Sequence, residues 1–233
     1  MRAFASLTLR NKPNSASVLA SRAQRRLRLA AVEWVKRKSP QVIFEQCHTP
    51  DMIKITPKRH GDGRGHFVEL FRADLFKLKV GDINFVQHNQ SLSRPSGTVR
   101  GLHYQVAPAA QGKLVRCVRG AILDVAVDIR RSSPTFGQHV AVELSADTDA
   151  QLWIPEGFAH GFCTLTPDTE VWYAATHTYS PTHERGLLWN DPELGIDWPV
   201  TAESATVGPR DAVQPRFHEF AADFALVRCL CRF

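Results

Sequence analysis

Arg100-Gly101-Leu102-His103-Tyr104-Gln105 is followed, eight residues after Gln105, by Lys113 in Gln111-Gly112-Lys113-Leu114-Val115. A base and a cation are thereby placed close together on short strands. Ile154-Pro155-Glu156-Gly157-Phe158-Ala159-His160-Gly161-Phe162 supplies a second histidine, and Val171-Trp172-Tyr173 begins a strand carrying Tyr173 and Tyr179. A neutral imidazole accepts a proton near physiological pH. An ammonium stabilises a developing oxyanion, and a phenol returns a proton. Together these are the parts for moving a proton beside a carbonyl. Singly, each has a plainer reading: a tyrosine packed in a core with its hydroxyl bonded, or a satisfied core histidine. Lys113 resists that reading, because a lysine opening an apolar strand either reaches solvent or meets a negative charge.

The elements that hold these residues read as strands. On a strand Gly101, His103 and Gln105 share one face, as do Val171, Tyr173, Ala175, His177 and Tyr179. Arg100 has the opposite parity to His103, so both reach one pocket only if Gly101 bends or bulges the strand. From about residue 50 short strands alternate with turn signals. His66–Phe71 follows the turn cluster 61–65. Leu123, Val125, Val127 and Ile129 alternate with Asp124, Ala126 and Asp128, the pattern of a half-buried strand. Val140, Val142 and Leu144 alternate again, and Leu152 and Ile154 enter the turn at 155–157. Helical spacing is weak until Phe217–Cys229. The expected fold is all-β, a jelly-roll or antiparallel sandwich, with short helical segments near the C-terminus.

A chain of 233 residues, 43% hydrophobic and 22% charged, can build one sizeable core. The net charge of +6 is concentrated at one end: residues 1–40 hold ten Lys or Arg and one acid, +9, so residues 41–233 carry −3. A mildly acidic body removes the main argument for nucleic-acid binding. Residues 1–41 are expected to be a disordered extension, or translation from upstream of an initiation site near Val42. Transit-leader and nucleic-acid-tail readings are the alternatives. Residues 42–233 form the expected domain and its tail. Cys47, Cys117, Cys163, Cys229 and Cys231 are odd in number and scattered, which points to free thiols in a reducing cytoplasm rather than a disulfide framework. No apolar run approaches a membrane span.

Pro155-x-Gly157-x-x-His160 matches the second motif of the cupin jelly rolls, but His103-Tyr104-Gln105 stands where metal-binding cupins carry His-x-His. With one ligand replaced, no metal is expected. The chain from about residue 52 to 215 resembles the dTDP-4-dehydrorhamnose 3,5-epimerases. The similar segments are Gly61–Phe67, Phe85–Ser91, Arg100–Gln105, Gln111–Arg116, Asp124–Thr135, Ile154–Phe162, Trp189–Pro192 and Pro209–Asp211. The resemblance implies a cupin-type jelly roll, a homodimer, a cytoplasmic setting and no cofactor. It implies that His103 is the general base, Asp211 its partner carboxylate, Tyr173 the proton donor on the opposite face, and Lys113 the cation at the sugar C4 oxygen. It also implies that Arg64, Phe67, Glu69, Gln87, Asn89, Arg100, His160 and Tyr179 shape the nucleotide-sugar pocket.

Two departures from the family pattern are Gln87-His88-Asn89 for Gln-Asp-Asn and Tyr173-Ala174 for Tyr-Lys. His88 is expected to alter electrostatics near the pocket. The implied reaction inverts C3 and C5 of dTDP-4-dehydro-6-deoxy-D-glucose, with dTDP-4-dehydro-L-rhamnose as product for cell-surface polysaccharide such as lipopolysaccharide O-antigen. The rivals are a single-site C3 or C5 epimerase of another dTDP-4-keto-deoxysugar, a non-catalytic sugar-nucleotide-binding cupin, and a metal-dependent cupin.

Overall fold

The computed structural model describes residues 42–49 and 51–219. The basic stretch 1–41, Cys229, Cys231 and most of the helically spaced tail lie outside the described residues; of that tail Phe217–Glu219 form a 3-10 turn. The strands are β1 (Ile43–Gln46), β2 (Ile53–Thr56), β3 (Arg59–Asp62), β4 (Gly65–Val68), β5 (Gln87–Ser93), β6 (Thr98–Gln105) and β7 (Lys113–Arg119). They continue with β8 (Ala121–Asp128), β9 (His139–Ser145), β10 (Gln151–Ile154), β11 (Phe158–Thr164), β12 (Thr169–Ala175), β13 (Glu184–Gly186) and β14 (Thr206–Val207). One sheet runs β1-β2-β10-β7-β12-β5 and the other β13-β6-β11-β8-β9, with β14 lying parallel beside β6. The other pairings are antiparallel, and the result is a cupin-like sandwich.

Alternation along the strands builds three layers of core. Val115, Ile122, Ala126, Leu152, Ile154, Phe158 and Phe162 fill the space between the sheets. Leu102, Tyr104, Val125, Val127 and Ala159 point to the other side of the second sheet, where Leu187 and Leu194 of the C-terminal segment cover them. Leu114, Trp153 and Ala174 line the outer face of the first sheet. β8 therefore departs from the half-buried pattern. Its apolar side is roofed by the later chain and its polar side faces the inter-sheet core, so Asp124 and Asp128 are both fully buried.

A helix that the sequence pattern did not reveal, α1 (Ala73–Lys79), caps the first sheet. It buries only Leu75 and Phe76, too narrow a stripe to show as periodicity. At seven residues it depends on packing, chiefly Phe76 edge-on to Trp153 at 5.5 Å between ring centres. Ala174 lies beneath this cluster, so the departure at that position belongs to the outer face. His88 also points outward, against Trp172, while its neighbours Gln87 and Asn89 point inward. The β3–β4 hairpin pairs only with itself and leaves Phe67 exposed at 69%.

Candidate active site

One end of the sandwich carries polar inner faces. On β6, Val99, Leu102 and Tyr104 turn outward, which sends Arg100 and His103 inward. The register explains how residues of opposite parity share a face: the three steps from Arg100 to His103 oppose two from Phe162 to His160. The extra residue is a bulge at Gly101–Leu102. Gly101 has φ +125°, and a Cβ there would lie 2.5 Å from the Gly161 Cα, so only glycine fits.

Asp211, in the 3-10 turn Asp211–Val213, closes over this bulge. Its Oδ1 is 2.7 Å from His103 Nε2, and its Oδ2 accepts from the Gly101 N–H at 3.2 Å. Burial pushes the Asp211 carboxyl up, but the His103 hydrogen bond and charge, the Gly101 N–H and Arg100 together hold it below its ordinary range. An ionised Asp211 requires the hydrogen on His103 Nε2 and leaves Nδ1 as the basic nitrogen. His103 is half-buried, within reach of a solute.

The opposing sheet supplies Tyr173 and Lys113. Tyr173 on β12 is cross-strand to Asn89 on β5 and Val115 on β7, and Lys113 Nζ stands 5.9 Å from its ring centre. Burial raises the Tyr173 phenol, as do Glu184 and Tyr179, against the charge of Arg100, so it remains protonated at neutral pH. Burial lowers the Lys113 ammonium to about 8, against the supporting charges of Asp124 and Glu184. A base on one sheet faces an acid and a cation on the other.

The rim is tied together by hydrogen bonds. Gln87 donates to Asn89 at 2.8 Å and accepts from the Tyr179 N–H at 2.7 Å. Tyr179 lies beyond β12, which ends at Ala175, so it does not share a strand face with Tyr173 as the spacing predicted. Its hydroxyl donates to Glu184 at 2.7 Å, and Arg210 pairs with the same carboxylate at 2.5 Å. Arg100 binds Ser93 at 3.0 Å and the Leu92 carbonyl at 3.2 Å, bridging the two sheets. Gln105 donates to the Ala109 carbonyl at 2.6 Å and accepts from the Ser180 N–H at 2.7 Å, which commits its amide to the loops.

This architecture matches a known family. The dTDP-4-dehydrorhamnose 3,5-epimerase model aligns with residues 46–219. The chain belongs to that family. It is 48% identical over 188 residues to the dTDP-4-dehydrorhamnose 3,5-epimerase of Sinorhizobium fredii, covering 81% of this chain and 96% of that protein. It is 55% identical over 152 residues to that of Shigella flexneri, covering 65% and 83%. The crystal structure of the Legionella pneumophila dTDP-6-deoxy-D-glucose-3,5-epimerase in complex with dTDP-4-keto-L-rhamnose superposes with a TM-score of 0.74 at 42% identity, covering 78% of this chain and 96% of that one. The chain is thus an isomerase of the dTDP-rhamnose pathway.

Within this epimerase, three of the expected pocket residues stand apart. Arg64 and Phe67 sit on the exposed β3–β4 hairpin, where Arg64 forks onto Asp62. Among the described residues neither bonds to the His103 group. Glu69 lines a narrow crevice with Phe44, Ile55, Leu75 and Phe76, and its Oε1 is buried 3.9 Å from Arg72. Conversely, sequence reasoning missed Glu184, Arg210 and Asp124. Arg210 adjoins Asp211 and was within reach; Glu184 sits in a turn without pattern, and Asp124 resembled the wet side of a strand.

Proposed function

We propose that the chain inverts both C3 and C5 of dTDP-4-dehydro-6-deoxy-D-glucose, with His103 as base and Tyr173 as acid. The observation that carries this reading is the His103–Asp211 pair at 2.7 Å on one sheet, with Tyr173 and Lys113 facing it from the other. The C4 carbonyl acidifies the hydrogens at both neighbouring carbons, since either carbanion is delocalised onto the C4 oxygen. His103 Nδ1 takes the proton, and Asp211 stabilises the imidazolium. Lys113 stabilises the oxyanion, a contact of a kind worth about 3–4 kcal/mol where single donors have been removed. Tyr173 then delivers a proton from the opposite side, which inverts the centre. The reaction needs no cofactor or metal.

Arg100, His160, Gln87, Asn89 and Tyr179 form the nucleotide-sugar pocket in this reading. Arg64 and Phe67, on the exposed hairpin that is free to reach a second copy, and Glu69, one residue beyond it, complete the pocket in a homodimer. The cytoplasm is the site of action, where the nucleotide sugar is made. Among the described residues no helix is long and apolar enough to cross a membrane.

The test is proton NMR of dTDP-4-dehydro-6-deoxy-D-glucose incubated with the protein in deuterated water, with a 4-reductase and NADPH trapping the product. Deuterium at C3 and C5 with dTDP-L-rhamnose formed is the expected result. Deuterium at one carbon would reassign the chain as a single-site epimerase, and none would remove this substrate.

A further inference from the structure

β8 holds a carboxylate, Asp124, that the proposed proton transfers do not use. It is fully buried, and its Oδ1 lies 2.8 Å from His160 Nε2. Its Oδ2 is buried with no hydrogen-bond donor among the described residues. Buried polar atoms are almost always paired, so an idle carboxylate oxygen requires a reason. Its surroundings supply one. His160 is buried and is the direct cross-strand partner of His103. Lys113 stands on β7 of the other sheet, its Nζ 5.9 Å from the Tyr173 ring centre, and among the described residues its ammonium has no hydrogen-bond or ion-pair partner.

We propose that Asp124 is a positioning residue for both: Oδ1 fixes His160 as the neutral tautomer with hydrogen on Nε2, and the negative charge at Oδ2 keeps Lys113 an ammonium. His160 then has Nδ1 left as an acceptor for a sugar hydroxyl, and Lys113 is charged when the oxyanion forms. The inference rests on the reading of Lys113 and His160 as pocket residues. The charges around the pair are consistent with it. Burial and then the Lys113 and His103 charges disfavour a protonated His160, against the pull of Asp124. The charged and titratable groups that act on Lys113 are Asp124 on β8, Glu184 on β13 and His160 on β11, with the Tyr173 ring on β12 centred 5.9 Å from its Nζ, and Asp124 supports its charge more than Glu184 does.

Asp124→Asn keeps the size of the side chain and removes the charge. In the wild type, kcat/KM for dTDP-4-dehydro-6-deoxy-D-glucose should fall on the alkaline side with a midpoint at about 8. In Asp124→Asn that limb should move to lower pH by on the order of one unit, with kcat falling more than KM rises. A loss of activity equal at every pH, with the limb unmoved, would reduce Asp124 to a structural residue and overturn the proposal. A second measurement needs no variant of Asp124 and no turnover. In ¹⁵N-histidine-labelled wild-type enzyme at neutral pH, the His160 resonances, assigned by loss in His160→Gln, should show hydrogen on Nε2 alone. A protonated ring, or hydrogen on Nδ1, would sink the proposal. A wild type inactive on this sugar would instead count against the proposed reaction and leave the NMR result standing.

Discussion

Asp124 and Asp128 are the same residue type on the same face of β8, and both are fully buried. Asp128 is saturated. Its Oδ1 accepts from Arg130 N at 3.0 Å and Nε at 2.9 Å; its Oδ2 accepts from Arg130 Nη2 at 2.8 Å, Ser133 at 2.5 Å and Thr135 at 2.7 Å. Arg130 bonds Asp51 at 2.9 Å as well and covers the Phe158 ring at 4.5 Å. Asp124 has His160 and an idle oxygen. A charge that only holds structure together uses every lone pair, because each idle one weakens the lock. A charge that serves chemistry keeps capacity in reserve. One face of one strand thus holds both a fastening and a working site.

The largest effect that would test this division is at the working site. His103→Ala should lower kcat/KM by about 10³-fold, or ~4 kcal/mol of transition-state stabilisation, by removing the base. Loss of one charge-assisted hydrogen bond to Asp211 should cost the fold about 2 kcal/mol. Steady-state kinetics and urea unfolding on the same preparation measure both, and near-wild-type turnover would remove His103 as the base. At the fastening the pattern reverses. Asp128→Ala should destabilise the fold by about 3 kcal/mol, the lower part of the range for a broken buried ion pair, because Asp51 still neutralises Arg130. Turnover per folded molecule should be unchanged. The sign with pH follows: burial pushes Asp128 up, but Arg130, Ser133 and Thr135 hold it below its ordinary value of 3.8. Its contribution is therefore present above that value and lost as pH falls through the lower folded value. The stability gap between wild type and Asp128→Ala should close in acid, and a gap constant with pH would remove the ion pair as its cause.

The sequence made the working site more legible than the fastening. His103, Lys113 and Tyr173 were visible because polar residues with chemistry interrupt apolar strands at short spacing. Even the bulge was foreseeable, since Arg100 and His103 have opposite parity and Gly101 lies between them. Asp211 was reached through family resemblance alone, as 108 residues separate it from His103. Asp124 was invisible as a site residue because period-2 alternation says which residues share a face and not whether that face is wet. The later chain roofs the apolar side of β8, an event no local pattern records. The helix α1 escaped for a related reason: its stability comes from Phe76 on Trp153, which are distant in sequence.

The smallest effect is expected on the hairpin, which is neither fastened nor enclosed. Arg64 is exposed at 91% and pairs with an exposed Asp62, an arrangement that solvent and salt screen almost completely. Removing it should leave the urea midpoint where it is. If its role in the pocket is real, Arg64→Ala should raise KM with kcat unchanged, the mark of an interaction made equally in ground and transition states. Its planar fork suits a diphosphate, so the loss should be steeper at low ionic strength. Measuring KM at two salt concentrations separates this from a general surface effect. An unchanged KM at both would leave the hairpin outside the site and confine substrate recognition to the sandwich end, where Arg100 would be the remaining inward-facing guanidinium on β6.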